Sequence, residues 1–238
     1  MTTEAELIRI LAAAASAGVH TVDATPYASL DRDAAYRVQV GVLAATGASV
    51  GILKTGIHPD GVGIVAPIPA SGVGRAPDFR LPVANVTGLE VEIGLVLARN
   101  VASAADVPSA IDHFFTGVEI CGSRYIDRSK AGPMGGLADS VSALGYVVGP
   151  TRALKDQFEG LQITLEFADK KIYAARAKHG FGTVLASLIA YAENQHPAYP
   201  LRAGTIVTTG SLCGLVPTSG TGHVVARLGD EVVEFDIV

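Results

Sequence analysis

The chain has 238 residues, 49% hydrophobic and 17% charged, with a formal net charge of −5. That length suits one domain or two small ones with a substantial core. The acidic balance speaks against a nucleic-acid partner, and no apolar run approaches the ~20 residues of a membrane span. So many apolar residues with so few charges also lead us to expect burial between subunits, that is, a homo-oligomer. The opening MTTEAELIRILAAAASAG carries early acids and no basic flank, so no signal peptide is expected. Cys121 and Cys213 lack metal-ligand spacing, and two reduced thiols in a cytoplasmic protein are expected.

In chain order, residues 3–17 read as a helix. Thr2 or Thr3 can cap it, Glu4 and Glu6 suit its positive end, and Gly18 stops it. A second helix is predicted over 31–45, capped by Ser29, with Ala35, Val38, Val42 and Leu43 on its apolar face. Residues 52–56 read as a short strand. The Gly-, Pro- and Ala-rich stretch 57–83 reads as a long, irregular but ordered loop, of a kind that often serves as a lid. Residues 88–97, GLEVEIGLVL, alternate apolar side chains with carboxylates and read as a strand.

Further on, 104–115 reads as a helix with Pro108 in its first turn, and 116–122 as a strand. GPMGG at 132–136 is expected to be a flexible loop, and 141–148 a strand. Residues 161–175 form a predicted hairpin around Asp169-Lys170, and 182–194 an amphipathic helix. The end is strand-rich, with GTIVTTG at 204–210, then HVVARL and EVVEFDI around Gly229-Asp230. Helices in front and strands behind predict an α+β protein with a β core.

The chemistry concentrates on carboxylates. Glu90 and Glu92 share one face of the 88–97 strand, their Cα atoms roughly 6.6 Å apart. Water would screen them on a solvated face; in this apolar setting a hard divalent cation resolves the repulsion. Glu119, between Val118 and Ile120, is a third candidate, with Arg124 as its ion-pair partner or a substrate contact. Three carboxylates would make an open site suited to Lewis-acid chemistry.

The E-x-E strand followed by VEICGSR resembles the 2-keto-4-pentenoate hydratase group of the fumarylacetoacetate hydrolase superfamily. AYRVQ at 35–39, KTG at 54–56, LADSVS at 137–142 and TGSLCGLVP at 209–217 resemble that group's further motifs in the same order, so the likeness covers about residues 30–238. The resemblance implies a fumarylacetoacetate hydrolase-like fold, with a mixed β-roll core and N-terminal helices. It divides the chain into a helical region, 1–50, and a β-rich metal-binding catalytic region, 51–238, forming one unit.

It further implies Mg²⁺ or Mn²⁺ on Glu90, Glu92 and Glu119, and Lys54 over the substrate. Asp60 would transfer a proton, with Asp78 its rival on local sequence, and Ser142 and Asp139 would stand near the substrate carboxylate. Ser211 reads as a substrate contact rather than a nucleophile. Two residues depart from the family pattern: Ser140 stands for the usual asparagine and Cys213 for a common threonine.

The implied substrate is a small 2-oxo acid, which can chelate a divalent cation and react through its enolate. A lysine beside such a cation is pushed towards its neutral form and could act as base or acid. The first expectation is hydration of a 2-hydroxy-2,4-dienoate to a 4-hydroxy-2-oxo acid. Decarboxylation of a 2-oxo-enedioate comes second and hydrolysis of an acylpyruvate third. A non-catalytic subunit, complexed with a related decarboxylase or hydratase, is the alternative of another class.

Overall fold

Thr3 Oγ1 accepts the Glu6 N–H and opens helix α1 (Glu4–Ala17), which Gly18 ends in the left-handed region at φ 65°. The structure, a computed structural model, describes residues 3–152 and 158–238, so the alternative cap Thr2 lies outside the described residues. Helix α2 (Arg32–Ala45) is capped by Asp31, whose Oδ1 accepts the Ala34 N–H at 2.7 Å. Ser29 therefore does not cap it. Aspartate caps at least as well as serine, and here it stands next to the first turn.

The stretch 57–83 is not one irregular loop. Strand β1 (Val50–Ile57) turns back into β2 (Gly63–Pro69), followed by the short β3 (Val73–Arg75) and β4 (Arg80–Leu81). Pro67 and Pro69 hid β2 from the sequence reading, and β2 tolerates them because it is an edge strand. Strand β5 (Gly88–Leu97) has the expected bounds.

The predicted helix 104–115 shrinks to a single turn and α3 (Val107–Ala110); from Ile111 the chain is already strand β6 (Ile111–Cys121). A long ladder against β5 overrides local helical spacing there. GPMGG is not a loop either but most of α4 (Gly132–Ala138). Its glycines allow close packing: a Cβ on Gly135 would stand 3.1 Å from the Tyr27 carbonyl oxygen, and one on Gly136 would strike Arg128.

After β7 (Ala143–Arg152), the hairpin β8 (Gln162–Phe167) and β9 (Lys170–Arg176) forms as expected. Helix α5 (Ala186–Ala192) is shorter than predicted. Strands β10 (Ile206–Ser211), β11 (Val216–Pro217), β12 (Gly222–Leu228) and β13 (Glu231–Ile237) complete the chain.

Two sheets result, in the order β2-β1-β10-β5-β6-β7-β3, with β11 also on β5, and β4-β13-β12-β8-β9. Both are mixed, since β1–β10, β3–β7 and β4–β13 pair in parallel. The α+β class expected from sequence is the one observed. Leu89, Val91, Ile93 and Leu95 of β5 are at most 0% exposed, and they share one core cluster with Leu7, Leu11 and Val38 of the two N-terminal helices. Central β5 thus fixes its apolar face against the core and turns its glutamates to the other side. No helix among the described residues is long and apolar enough to cross a membrane.

Candidate metal centre

The β5–β6 register sets Glu90 directly opposite Glu119, and Glu92 follows on the same face of β5. Strand β10 carries Thr208 against Lys54 of β1 on one side and Ser211 against Glu92 on the other. Four strands therefore bring Lys54 and three carboxylates together. Lys54 Nζ donates to Glu119 Oε1 at 2.6 Å and to the Val141 carbonyl oxygen at 3.3 Å, and it lies 3.9 Å from Glu90 Oε2. Thr208 Oγ1 donates to Glu92 Oε2.

The Glu92 and Glu119 side chains are completely buried, yet Glu92 Oε1 and Glu119 Oε2 have no hydrogen-bond partner. Buried acceptors are nearly always satisfied, so two orphans on neighbouring strands need an explanation. Burial pushes both carboxyls up. Glu92 is held well above the usual range by burial, Glu119 and Glu90, and Glu119 rises to about 7 because burial outweighs the pull of Lys54. Burial lowers the proton affinity of Lys54, but Glu119 and Glu90 more than reverse this and hold it as an ammonium. One lysine does not balance three carboxylates.

This donor set fits a divalent cation. The orphaned oxygens point to a missing positive partner, and an all-carboxylate core suits hard ions such as Mg²⁺, Ca²⁺ or Mn²⁺. Donor atoms of Glu90, Glu119 and buried Cys121 lie within 4.8 Å of one another, whereas Glu92, the third expected ligand, is not part of that close group. Cys121 Sγ is 3.5 Å from Glu119 Oε1.

Lys54 and Glu90 form the base of a cavity of about 320 Å³, walled by Ile57, Ile64, Val141, Phe181 and Ser211. Ser211 Oγ accepts the Cys213 N–H at 3.2 Å and donates to the Gly214 carbonyl oxygen at 3.1 Å. The Cys213 sulfur accepts the Val91 N–H at 3.3 Å, filling the hydrogen-bonding place of a hydroxyl.

The other sequence candidates lie elsewhere. Asp139 is buried in a pair with Arg124, whose Nε and backbone N–H both donate to it, and Ser123 Oγ adds a bond of 2.6 Å. Arg124 and Asp139 line a different, smaller pocket. Arg124 pairs with Asp139, not with Glu119. Together they pin a turn in which Ser140, Val141 and Ser142 all take left-handed angles, φ 49°, 50° and 63°. That conformation is costly for a β-branched residue, and here it aims the Val141 carbonyl at Lys54. Ser142 supports the same turn through its N–H to Asp139 O and does not line the cavity.

Asp60 is exposed at the β1–β2 tip and is not a cavity residue. The Val62 N–H, His58 and Arg32 hold its carboxyl down at about 2. Asp78 is exposed as well. Sequence reasoning missed Phe181, Thr208, Cys121 and the Val141 carbonyl. Only Phe181 left a signal, an aromatic between two glycines at 180–182.

The chain matches the fumarylacetoacetate (FAA) hydrolase C-terminal family over residues 63–237. No curated protein matches it. Among solved structures, 4-oxalocrotonate decarboxylase from Pseudomonas putida G7, complexed with magnesium and adipate, is similar at TM-score 0.77 and 19% identity, covering 100% of this chain and 99% of that one. The 2-hydroxyhepta-2,4-diene-1,7-dioate isomerase from Mycobacterium marinum gives 0.56 and 16%, covering 80% and 76%. Maleylpyruvate hydrolase from Sphingobium sp. SYK-6, in complex with manganese (II) ion and pyruvate, gives 0.52 and 15%, covering 79% and 69%. At these identities the likeness establishes the fold, and the expected FAA hydrolase-like architecture is the one found.

Proposed function

The chain belongs to the fumarylacetoacetate hydrolase family, and on that footing we propose that it is a divalent-metal-dependent enzyme acting on a 2-oxo acid through its enol form. The reaction we assign is hydration of a 2-hydroxy-2,4-dienoate to a 4-hydroxy-2-oxo acid. One observation supports the metal-dependent reading: two fully buried carboxylates, each with an orphaned oxygen, stand beside a third and a lysine that lines a cavity. The choice of hydration follows the sequence motifs.

Glu90, Glu92 and Glu119 would hold the ion, Mg²⁺ or Mn²⁺. When bound, it supplies Lewis acidity that polarises a 2-oxo group and favours the enol. Thr208 orients Glu92 by donating to one of its oxygens, which leaves the other for coordination. Lys54 holds a proton at Nζ, and it is the only cation among the described residues that line the cavity. A cation on the carboxylates would loosen their hold on that proton, so Lys54 would deliver it at the substrate carbon and, once neutral, take one back. The Val141 carbonyl fixes its direction. Ser211 offers a hydroxyl to the substrate, and Asp60 has no part in this scheme.

Decarboxylation of a 2-oxo-enedioate is the second reading. It is favoured by the likeness along the whole chain to a 4-oxalocrotonate decarboxylase. Proton NMR of the Mg²⁺-loaded protein with 2-hydroxypenta-2,4-dienoate and 2-oxohex-3-enedioate separates the two. Water added to the first supports hydration, and carbon dioxide lost from the second supports decarboxylation. Inertness towards both would remove the proposal.

A further inference from the structure

The cavity has two unlike halves. Its base is charged, with Lys54 and Glu90 the only charged residues among the described lining. Two positions further along β1, on the same face as Lys54, stands Gly56, where the missing side chain leaves the next stretch open. Across the hairpin Gly56 faces Ile64. A Cβ on Gly56 would stand 3.4 Å from Ile64 Cγ1 and 3.9 Å from Phe181 Cζ. Gly210 on β10, at φ 110°, is bare too, and a Cβ there would stand 2.8 Å from Phe181 Cε2. The ring of Phe181 thus spans two bare backbone positions and, with Ile64, makes the outer wall.

Phe181 is held there. Its N–H donates to His179 Nδ1 at 3.2 Å, and His179 Nε2 lies 3.4 Å from Thr209 Oγ1, which donates to the Ile93 carbonyl oxygen at 2.8 Å. His179 is buried, and its own N–H donates to Glu159 at 2.9 Å. Both ring nitrogens are therefore occupied in one tautomer, with Nδ1 the acceptor and Nε2–H the donor.

We propose that Phe181 and Ile64 make this site selective for 2-oxo acids and enols whose far end carries no charge, and against dioates. This rests on the reading given under Proposed function and narrows its substrate class. With the carboxylate and 2-oxo group at the charged base, the remainder of the substrate lies along the Ile64–Phe181 wall. Phe181 is 37% exposed, so a second carboxylate there would lose part of its water, and it would gain no counter-charge from the described lining. Lys54 is engaged by Glu119 at 2.6 Å, and the guanidinium at the hairpin tip, Arg32, is engaged by Asp60 at 2.6 Å.

The test is calorimetric titration of the full-length, Mg²⁺-loaded protein with oxalate, 2-oxohexanoate and 2-oxohexanedioate. Oxalate probes the charged base alone. We expect it to bind, and 2-oxohexanoate to bind about tenfold or more tighter than the dioate. Phe181→Arg and Ile64→Lys should each reverse that preference, whereas Phe181→Leu should keep it. A wild-type protein that binds the dioate as tightly as 2-oxohexanoate, with oxalate still bound, overturns the selectivity and leaves the functional reading standing. Failure of oxalate to bind removes the functional reading and the selectivity with it.

Discussion

Glu92 is the side chain least at ease in this protein. It is fully buried, one oxygen is orphaned, and its neighbours Glu90 and Glu119 raise its proton affinity further. Glu92→Gln keeps the shape and removes the charge. It should raise the thermal midpoint of the metal-free protein, by about 0.5–2 kcal/mol of stability, while weakening Mg²⁺ binding by about 10–100-fold or more. A loss of metal-free stability in scanning calorimetry would show that the carboxylate is held by something other than a cation. Glu119 adds a pH signature. Its proton affinity in the fold, about 7, lies above the ordinary 4.5, so its contribution to metal-free stability is full below pH 4.5 and lost as pH rises through 7. Metal binding needs the ionised form, so Mg²⁺ affinity should increase from pH 6 to pH 8, with proton uptake by buffer in calorimetry. Flat affinity over that range would contradict the assignment.

At the scale of elements, the turn after α4 is the strained piece, and the buried Arg124–Asp139 pair holds it. Arg124→Met would leave Asp139 buried without its cation. We expect about 3–5 kcal/mol of destabilisation in urea unfolding, far more than a surface ion pair would cost. A change below about 1 kcal/mol would mean that the turn stands without the pair. The same elements show what the sequence could and could not reveal. Strand β5 was legible to the residue because Leu89, Val91, Ile93 and Leu95 alternate without interruption. Strand β6 was half hidden, since Pro108 and the Ala104–Asp106 turn imitate a helix start and only pairing with β5 decides the rest. Strand β2 was hidden by prolines that an edge position tolerates, and α4 by glycines that its close packing requires. Alternation carried Glu90, Glu92 and Glu119 onto one face, but no local pattern could show that Asp60 belongs to Arg32 and Asp139 to Arg124. Those pairings are made in space.

Taken whole, the molecule builds its site on a core to which both ends of the chain contribute. Tyr36 Oη of α2 accepts the Val65 N–H of β2 at 3.1 Å, and Gln39 Nε2 donates to the Leu137 carbonyl oxygen at 2.8 Å. The helical region 1–50 and the β-rich region 51–238 are accordingly expected to unfold together. Urea denaturation followed by far-ultraviolet dichroism and by tyrosine fluorescence should give coincident transitions, and separated ones would make them independent domains. On the proposed function, the carboxylates, the cation and Lys54 serve one act, the movement of a proton on a 2-oxo acid. Proton NMR of 2-oxopentanoate in heavy water tests it most directly. With Mg²⁺ the wild-type protein should wash out the signals of the protons next to the 2-oxo group, and Lys54→Ala, Glu119→Gln or a chelator should stop this. Exchange that continues undiminished with the chelator present, or in both variants, would contradict the account.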